Sequence, residues 1–217
     1  MKLVALLSGG LDSTVALAAA RREHEVVLAL TFDYGQRAAA REIAAASAIA
    51  SRFKIPARAL DARWLGALTP SALVNAAGAL PRPDARDLDD PAKAAATAKA
   101  VWIPNRNGFF INAAAAFAEA AGAGGVVVGF NREEAATFPD NTVAFMDAAT
   151  RALAFSTANG VRVVSPTAPL DKREIVRLGR ELGAPLDLCW PCYEGGPILC
   201  GVCESCRRFQ RAMESGT

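Results

Sequence analysis

The six residues Ser8-Gly9-Gly10-Leu11-Asp12-Ser13 hold the densest chemistry in the chain. They follow a short apolar run, Leu3 to Leu7, and precede a stretch from Asp12 to Arg22 with apolar residues at helical spacing, so they mark a passage from strand to helix. Backbone N–H groups in the first turn of a helix lack helical partners, and the helix dipole adds positive potential there. Adjacent glycines let the chain turn tightly and bring those donors close to a phosphate. Ser8, Ser13 and Thr14 add hydroxyl donors, and Asp12 adds a carboxylate suited to Mg²⁺. The segment from Leu7 through Leu11 to Thr14 is therefore the expected phosphate cradle. No Gly-Lys-Ser or Gly-Lys-Thr follows the glycines, which excludes a Walker loop. An ordinary strand-to-helix turn explains one glycine and one capping side chain, but not all six residues.

A second concentration of chemistry lies at the other end. Cys189, Cys192, Cys200, Cys203 and Cys206 all fall within the last 29 residues, and no cysteine precedes them. Thiolates two residues apart can reach one tetrahedral ion, and a second such pair completes four ligands, so the pattern points to Zn²⁺. Spacing alone permits Cys189 with Cys192, joined either by Cys200 and Cys203 or by Cys203 and Cys206. The competing explanation is free buried cysteines or a redox pair. A secreted disulfide scaffold would spread its cysteines and begin with a leader. The apolar run Leu3 to Leu7 is too short for a leader core and Asp12 follows at once, so a cytoplasmic protein starting at Met1 is expected.

Fewer polar residues elsewhere invite a role. Asp33 and Gln36 come just after a strand pattern, Val26 to Phe32, at the edge where open α/β sheets bind ligands, although a turn at Gly35 explains the segment without one. His24, the only histidine, reads as a surface turn residue and gives histidine base catalysis little support. Arg207, Arg208 and Arg211 follow the cysteines and read as a solvated helix face. They also suggest a zinc-bearing nucleic-acid module as a minor alternative. With 24 basic and 22 acidic residues the net charge is only +2, too small for a chain whose task is to coat nucleic acid.

These residues need a scaffold, and the rest of the chain supplies its pattern. Strand and helix signals alternate: strands at Leu3 to Leu7, Val26 to Phe32, Ala57 to Leu60, Gly125 to Phe130 and Val161 to Val164, and helices at Asp12 to Arg22, Arg37 to Arg52, Gly108 to Ala121, Asn141 to Phe155 and Lys172 to Leu182. Alternation of this kind makes a parallel sheet covered on both faces. The expected fold is α/β, with about five parallel strands and a cysteine-rich cap. At 217 residues one such unit suffices, with residues 1–186 as its body and residues 187–217 as the cap. Hydrophobic residues make up 52% and aromatics 7%, which excludes disorder and favours closely packed helices rich in alanine. From Phe109 to Phe130 the chain is apolar enough to suggest a membrane span, but Gly122, Gly124 and Gly125 divide it into a buried helix and an interior strand. From Asp61 to Trp102, amid Pro70, Pro81, Pro83 and Pro91, only a short helix at Ala92 to Lys99 is visible. A stretch of this length reads as a lid, an interface or a partly disordered segment.

The string at Ser8 resembles the pyrophosphate loop of the PP-loop ATP pyrophosphatases, which cleave ATP between its α and β phosphates. Four further segments narrow the resemblance: Phe32-Asp33-Tyr34-Gly35-Gln36-Arg37, Ile103-Pro104-Asn105-Arg106-Asn107, the helix start Lys172-Arg173-Glu174-Ile175-Val176, and the terminal cysteines. Together they resemble the 7-cyano-7-deazaguanine synthase (preQ0 synthase) family of queuosine biosynthesis, over nearly the whole chain and most weakly across residues 61–99.

The resemblance implies a Rossmann-like five-stranded sheet of the adenine nucleotide alpha hydrolase type and a four-cysteine zinc cap. It implies adenylation of 7-carboxy-7-deazaguanine by ATP with Mg²⁺, capture of ammonia as an amide, and a second adenylation leading to the nitrile. Asp12 and Lys172 would be catalytic, with Asp33 and Gln36 joining the loop at the nucleotide. Arg106 and Asn107 match an Arg-Asn pair that contacts substrate or nucleotide, although Asn107 also reads as a helix cap. The family's Trp-Ser-Cys-Tyr appears as Trp190-Pro191-Cys192-Tyr193, so the zinc ligands would be Cys192, Cys200, Cys203 and Cys206, and Cys189 would be supernumerary. A homodimer is implied on the same basis. The family's base-binding loop corresponds to residues 131–141, where Asn131, Phe138 and Asp140 would face the substrate. Here the usual serine-glycine is Ala135-Ala136, and Asn141 replaces a cysteine. That departure motivates a second expectation, a paralogue that couples the activated acid to another amine, on a protein or a nucleotide, or stops at the amide.

Overall fold

The computed structural model describes residues 1–215. In chain order its strands and α-helices are β1 (Lys2–Leu6), α1 (Leu11–Ala20), β2 (Glu25–Asp33), α2 (Ala39–Arg52), β3 (Ala57–Asp61), α3 (Arg63–Gly66), α4 (Pro91–Ala100), α5 (Arg106–Ala120), β4 (Gly125–Val127), α6 (Arg132–Ala135), α7 (Val143–Ser156), β5 (Arg162–Val164), α8 (Lys172–Glu181) and α9 (Glu204–Ser215). The five strands form one sheet in the order β3-β2-β1-β4-β5, every neighbouring pair parallel. The expected α/β class and strand number are those observed.

Side chains of β1 alternate between two cores, as a strand covered on both faces requires. Leu3, Ala5 and Leu7 pack with Ala16, Leu17 and Ala20 of α1 and Ala46, Ile49 and Ala50 of α2. Val4 faces the opposite side, where Ile111, Ala114, Ala115 and Ala118 of α5 and Met146 and Leu153 of α7 complete the larger core. The small alanine side chains bring these helices close to the sheet, which is how so few aromatics suffice. No helix of the described residues is long and apolar enough to cross a membrane.

Chain direction explains the site's location. From β1 the chain runs to β2 and β3 on one side, then returns through α5 to β4 on the other side of β1. The strand order therefore reverses between β1 and β4, and ligands of open parallel sheets bind at the carboxyl edge of such a point. The loop beginning at Ser8 lies there.

Two differences from the sequence reading have clear causes. The ladder of β4 stops at Val127, short of the expected Phe130, because β1 ends at Leu6 and the chain must pass over the start of α1. Residues 61–102 are packed rather than loose: Leu65, Leu73, Leu80, Leu88 and Val101 are buried, and Ala72 donates its N–H to the Ala100 carbonyl at 2.9 Å. Prolines hide this order from periodicity, since the segment is built from short turns fixed by long-range contacts.

Gly129 marks the closest approach of the β4 side to α1. A Cβ there would lie 2.5 Å from the Ser13 nitrogen and 2.6 Å from its Cα, both backbone atoms without freedom to yield. At Gly124 an added Cβ would meet only the Met1 sulfur, at an ordinary 3.6 Å. Gly129→Ala is accordingly expected to cost about 1 to 3 kcal/mol in urea unfolding, whereas Gly124→Ala should leave stability within about 0.5 kcal/mol. Equal midpoints for the two variants would contradict this packing.

Candidate active site

The loop between β1 and α1 is held from inside and left open outside. Gly9 has φ +80°, a backbone region that suits glycine, and a Cβ there would stand 2.6 Å from the Glu42 carbonyl oxygen. Ser13 Oγ accepts from the Ser8 N–H at 3.2 Å and lies 3.0 Å from Ser8 Oγ. The Thr14 hydroxyl donates to the Gly10 carbonyl at 2.7 Å. Thr14 is fully buried and does not line the cavity, so it braces the turn rather than presenting a free donor. Gly10 is the N-cap of α1 and no side chain caps it. The first-turn N–H groups therefore have no capping side-chain acceptor. Helix α8 offers the contrast, since Asp171 accepts from Arg173 and Glu174 and the Glu174 side chain closes a capping box.

Beside that open end, Lys172 Nζ donates to Asp12 Oδ2 at 2.6 Å and pairs with Glu134 Oε1 at 2.9 Å. The lysine side chain is only 12% exposed. Its burial works against the charge, but the two carboxylates more than offset this and hold its pKa above the usual lysine range. Burial raises Asp12 above the usual carboxylate range despite the attraction of Lys172. Burial acts on Glu134 in the same sense, but Lys172 outweighs it and keeps that carboxyl low. Asp12 Oδ1 is buried and has no hydrogen-bond partner.

Loop and lysine face a cavity of about 670 Å³. Leu7, Ser8, Gly10, Leu11, Asp12 and Ser13 line it on the loop side, and Arg106, Asn107, Phe138 and Lys172 line it from other elements. Arg106 sits 5.7 Å from the centroid of the Tyr34 ring. Burial disfavours the guanidinium charge, but Tyr34 and Asp140 favour it more and its pKa stays raised. The Tyr34 hydroxyl is pushed up to about 12, chiefly by burial. Asn107 is not the cap of α5: Asn105 holds that position, at φ 52°, and Asn107 Nδ2 donates to the Asp140 carbonyl at 3.4 Å.

Other expected residues sit behind this lining. Asp33 accepts from the Gly35 N–H at 3.0 Å, the turn role. Gln36 is buried, accepting from the Tyr34 backbone N–H at 2.9 Å and donating to Glu42 Oε2 at 2.8 Å, so it braces two lining residues without itself lining the cavity. Asn131 is buried and its side chain caps α6 by accepting from the Glu134 N–H at 2.9 Å. Its Nδ2 has no partner. Asp140 is raised by burial and sits next to the lining residue Asn141.

The terminal segment builds another wall. Trp190, Pro191, Tyr193, Ser205, Arg208 and Phe209 all line the cavity, and the Trp190 N–H donates to the Gly9 carbonyl at 2.8 Å. The sulfurs of Cys192, Cys200, Cys203 and Cys206 lie within 4.8 Å of one another, with Cys200 and Cys206 3.9 Å apart. Four thiolates around a tetrahedral Zn²⁺ have S···S separations of about 3.8 Å, so the donor set and spacing fit that ion. Backbone N–H groups of Glu194 and Cys200 point at Cys192 Sγ, both at 3.4 Å, the outer-shell donors such a centre needs. Cys189 stands apart, 3.5 Å from the Thr14 hydroxyl beneath the loop.

Residues 61–102 close the remaining side with Leu73, Leu88, Pro91, Ala94 and Val101. Tyr34, Glu42, Glu204 and Arg208 also line the cavity and were not expected there, whereas Glu133 and Glu134 line it from the expected segment 131–141. Arg208 departs furthest from its reading as a solvated helix residue, since its side chain is 13% exposed and ion-paired to Glu133 and Glu204. Adjacent acids at 133 and 134 were the available signal for the lysine's partner.

Comparison with known proteins agrees with this geometry over the whole chain. The family described as queuosine biosynthesis protein QueC matches residues 2–216. A protein of Desulforudis audaxviator named 7-cyano-7-deazaguanine synthase is 53% identical over 215 residues, 99% of this chain and 97% of that one. A protein of the same name from Desulforamulus reducens is also 53% identical, over 99% and 94% of the two chains, and one from Methanosarcina mazei is 46% identical over 99% and 94%. A match that spans the loop, the lysine helix and the cysteines alike, at about half identity, leaves one conclusion: the chain belongs to the QueC family of queuosine biosynthesis proteins.

Proposed function

We propose that this enzyme converts 7-carboxy-7-deazaguanine and ammonia to 7-cyano-7-deazaguanine with ATP. The observation that carries the reading is the uncapped start of α1, set beside the buried Asp12–Lys172 pair on a cavity large enough for nucleotide and base. A carboxylate is a poor electrophile until its oxygen carries AMP. Transfer of AMP to it releases pyrophosphate, ammonia displaces AMP to give the amide, and a second adenylation on the amide oxygen precedes loss of AMP and formation of the nitrile.

The chain's own residues bind and orient. Backbone N–H groups of the Ser8–Ser13 loop and the Ser8 hydroxyl grip the departing pyrophosphate. Lys172, kept charged by its two carboxylates, offsets negative charge growing at the α phosphate. Arg106 offers the acid substrate a cation on the far wall, and Tyr34 and Phe138 offer it aromatic surface. No side chain is required as a covalent nucleophile; rate comes from orientation and from keeping water off the adenylate. Asp12, with its unpartnered buried Oδ1, suits a Mg²⁺ ligand, and the ion would neutralise phosphate charge. Zinc on Cys192, Cys200, Cys203 and Cys206 would be coordinatively closed, a structural centre that fixes the cysteine-rich cap from residue 187 onto the body formed by residues 1–186.

Four measurements test the reading. AMP release from ATP should require both the deazaguanine acid and ammonium, and Asp12→Asn should lower it on the order of a hundredfold with an unchanged circular dichroism spectrum. Mass spectrometry of the wild-type reaction should show the nitrile; a stalled amide or a conjugate with another amine would replace the proposed end product. Cys203→Ser should lose zinc and solubility together while Cys189→Ser keeps a full metal content, and equal zinc loss in both would overturn the ligand set. Exchanging Ala135-Ala136 for Ser-Gly should change KM for the acid by about two- to twelvefold, the range of one net hydrogen bond, and leave KM for ATP alone. A change confined to ATP would remove residues 131–141 from the base site.

A further inference from the structure

Helix α6 has no buried residue, yet it presents Glu134 to the lysine of the site. A four-residue helix without a packed face must be held by polar contacts. Two are available. Arg132 reaches Asp171 and Glu174 of α8 at 3.2 and 3.1 Å, but its side chain is 60% exposed, and exposed ion pairs contribute little. Glu133 pairs with Arg208 of α9 at 2.6 Å, with both side chains largely buried, and more distantly with Arg211 at 3.4 Å.

That second contact continues to the lysine. Glu133 Oε1 accepts from Arg208 Nη1, while Glu133 Oε2 accepts from the backbone N–H of Lys172 at 3.4 Å. The next residue, Glu134, holds the same lysine's ammonium at 2.9 Å. Adjacent glutamates on one turn cannot move independently, so the position of Glu133 sets that of Glu134. Arg208 is itself fixed on three sides: Nε donates to Glu204 at 3.0 Å, Nη2 to the Leu88 carbonyl at 2.8 Å, and Nη1 to Glu133. Leu88 belongs to the wall formed by residues 61–102, so one guanidinium joins that wall, α6 and α9.

We propose that Arg208 is a positioning residue for the nucleotide site: acting through Glu133, it sets the place of the Lys172 ammonium beside the phosphate loop. The inference rests on the nucleotide reading above and adds to it a role for a residue of the cap.

The test is binding of an ATP analogue with a methylene bridge between the α and β phosphates, with Mg²⁺, measured by calorimetry on the full-length zinc-loaded protein. Arg208→Gln is expected to weaken binding about tenfold, and by less than about twofold when Lys172 is already methionine, because coupled residues are not additive. Glu133→Gln should reproduce the loss, and the Glu133→Gln, Arg208→Gln pair should cost no more than the larger single change. Arg208→Lys should recover part of the affinity. Should Arg208→Gln lose zinc or fail to fold, Glu133→Gln carries the test from outside the cap. The same loss with and without Lys172, or additive losses in the double variant, would overturn the inference. Wild-type protein that binds no analogue would overturn the nucleotide reading and this inference with it, whereas wild type and variants that bind alike would overturn the inference alone.

Discussion

One buried ammonium constrains most of the molecule. Taking a lysine out of water costs several kcal/mol unless its charge is paired, and removing one partner of such a group leaves the cost uncompensated. Lys172 has two partners, and they come from different parts of the chain: Asp12 from the first turn of α1 and Glu134 from α6, 160 and 38 residues away. Helices α1, α6 and α8 can therefore pack only in the relative positions that keep both carboxylates within hydrogen-bond reach of one nitrogen. The hydrophobic contact that carries this arrangement is adjacent, where Leu11 and Val15 of α1 meet Ile175 and Val176 of α8.

The sheet topology makes the triad possible, and the loop explains why it lies where it does. Because strand order reverses beside β1, the start of α1 stands at an open crevice instead of under a crossover. Gly129 lets the β4 side come within backbone contact of Ser13. A bulkier residue there would push the chain leading to α6 outward, and Glu134 would go with it. A tight glycine contact against Asp12 and Ser13 thus serves the ion pair that Asp12 makes with Lys172.

What could be read from the sequence followed the range of the interactions. The glycine turn from Ser8 to Ser13, the alternating strands and helices, and the cysteine spacing depend on neighbours within a few residues, so residue type and period reveal them. Resemblance added Lys172 and four of the five cysteines, which spacing alone left ambiguous. Roles set by long-range contacts stayed hidden. Arg208 reads as a solvated arginine until α9 is laid against Glu133 and Leu88, 75 and 120 residues away. Gln36 and Thr14 have the chemistry of ligand contacts, yet their polar atoms bond to nearby groups and hold the lining in place. In the wall made by residues 61–102 only the helix near Ala92 to Lys99 shows a period, because the turns before it are fixed by what they pack against.

Charge in the cavity imposes a last condition on any anion that enters. Six carboxylates line it, from Asp12, Glu42, Asp89, Glu133, Glu134 and Glu204, against the three cations Arg106, Lys172 and Arg208. Two of the cations are also ion-paired already, Lys172 with Asp12 and Glu134 and Arg208 with Glu133 and Glu204, while Arg106 lies against Tyr34. Backbone N–H groups at the uncapped start of α1 have no carboxylate to leave. Their dipoles are fixed by the fold and need no rearrangement to meet a phosphate, which favours them as a first anchor. An anion at the start of α1 therefore meets fixed main-chain donors, whereas Lys172 and Arg208 can answer it only by loosening carboxylates they already hold.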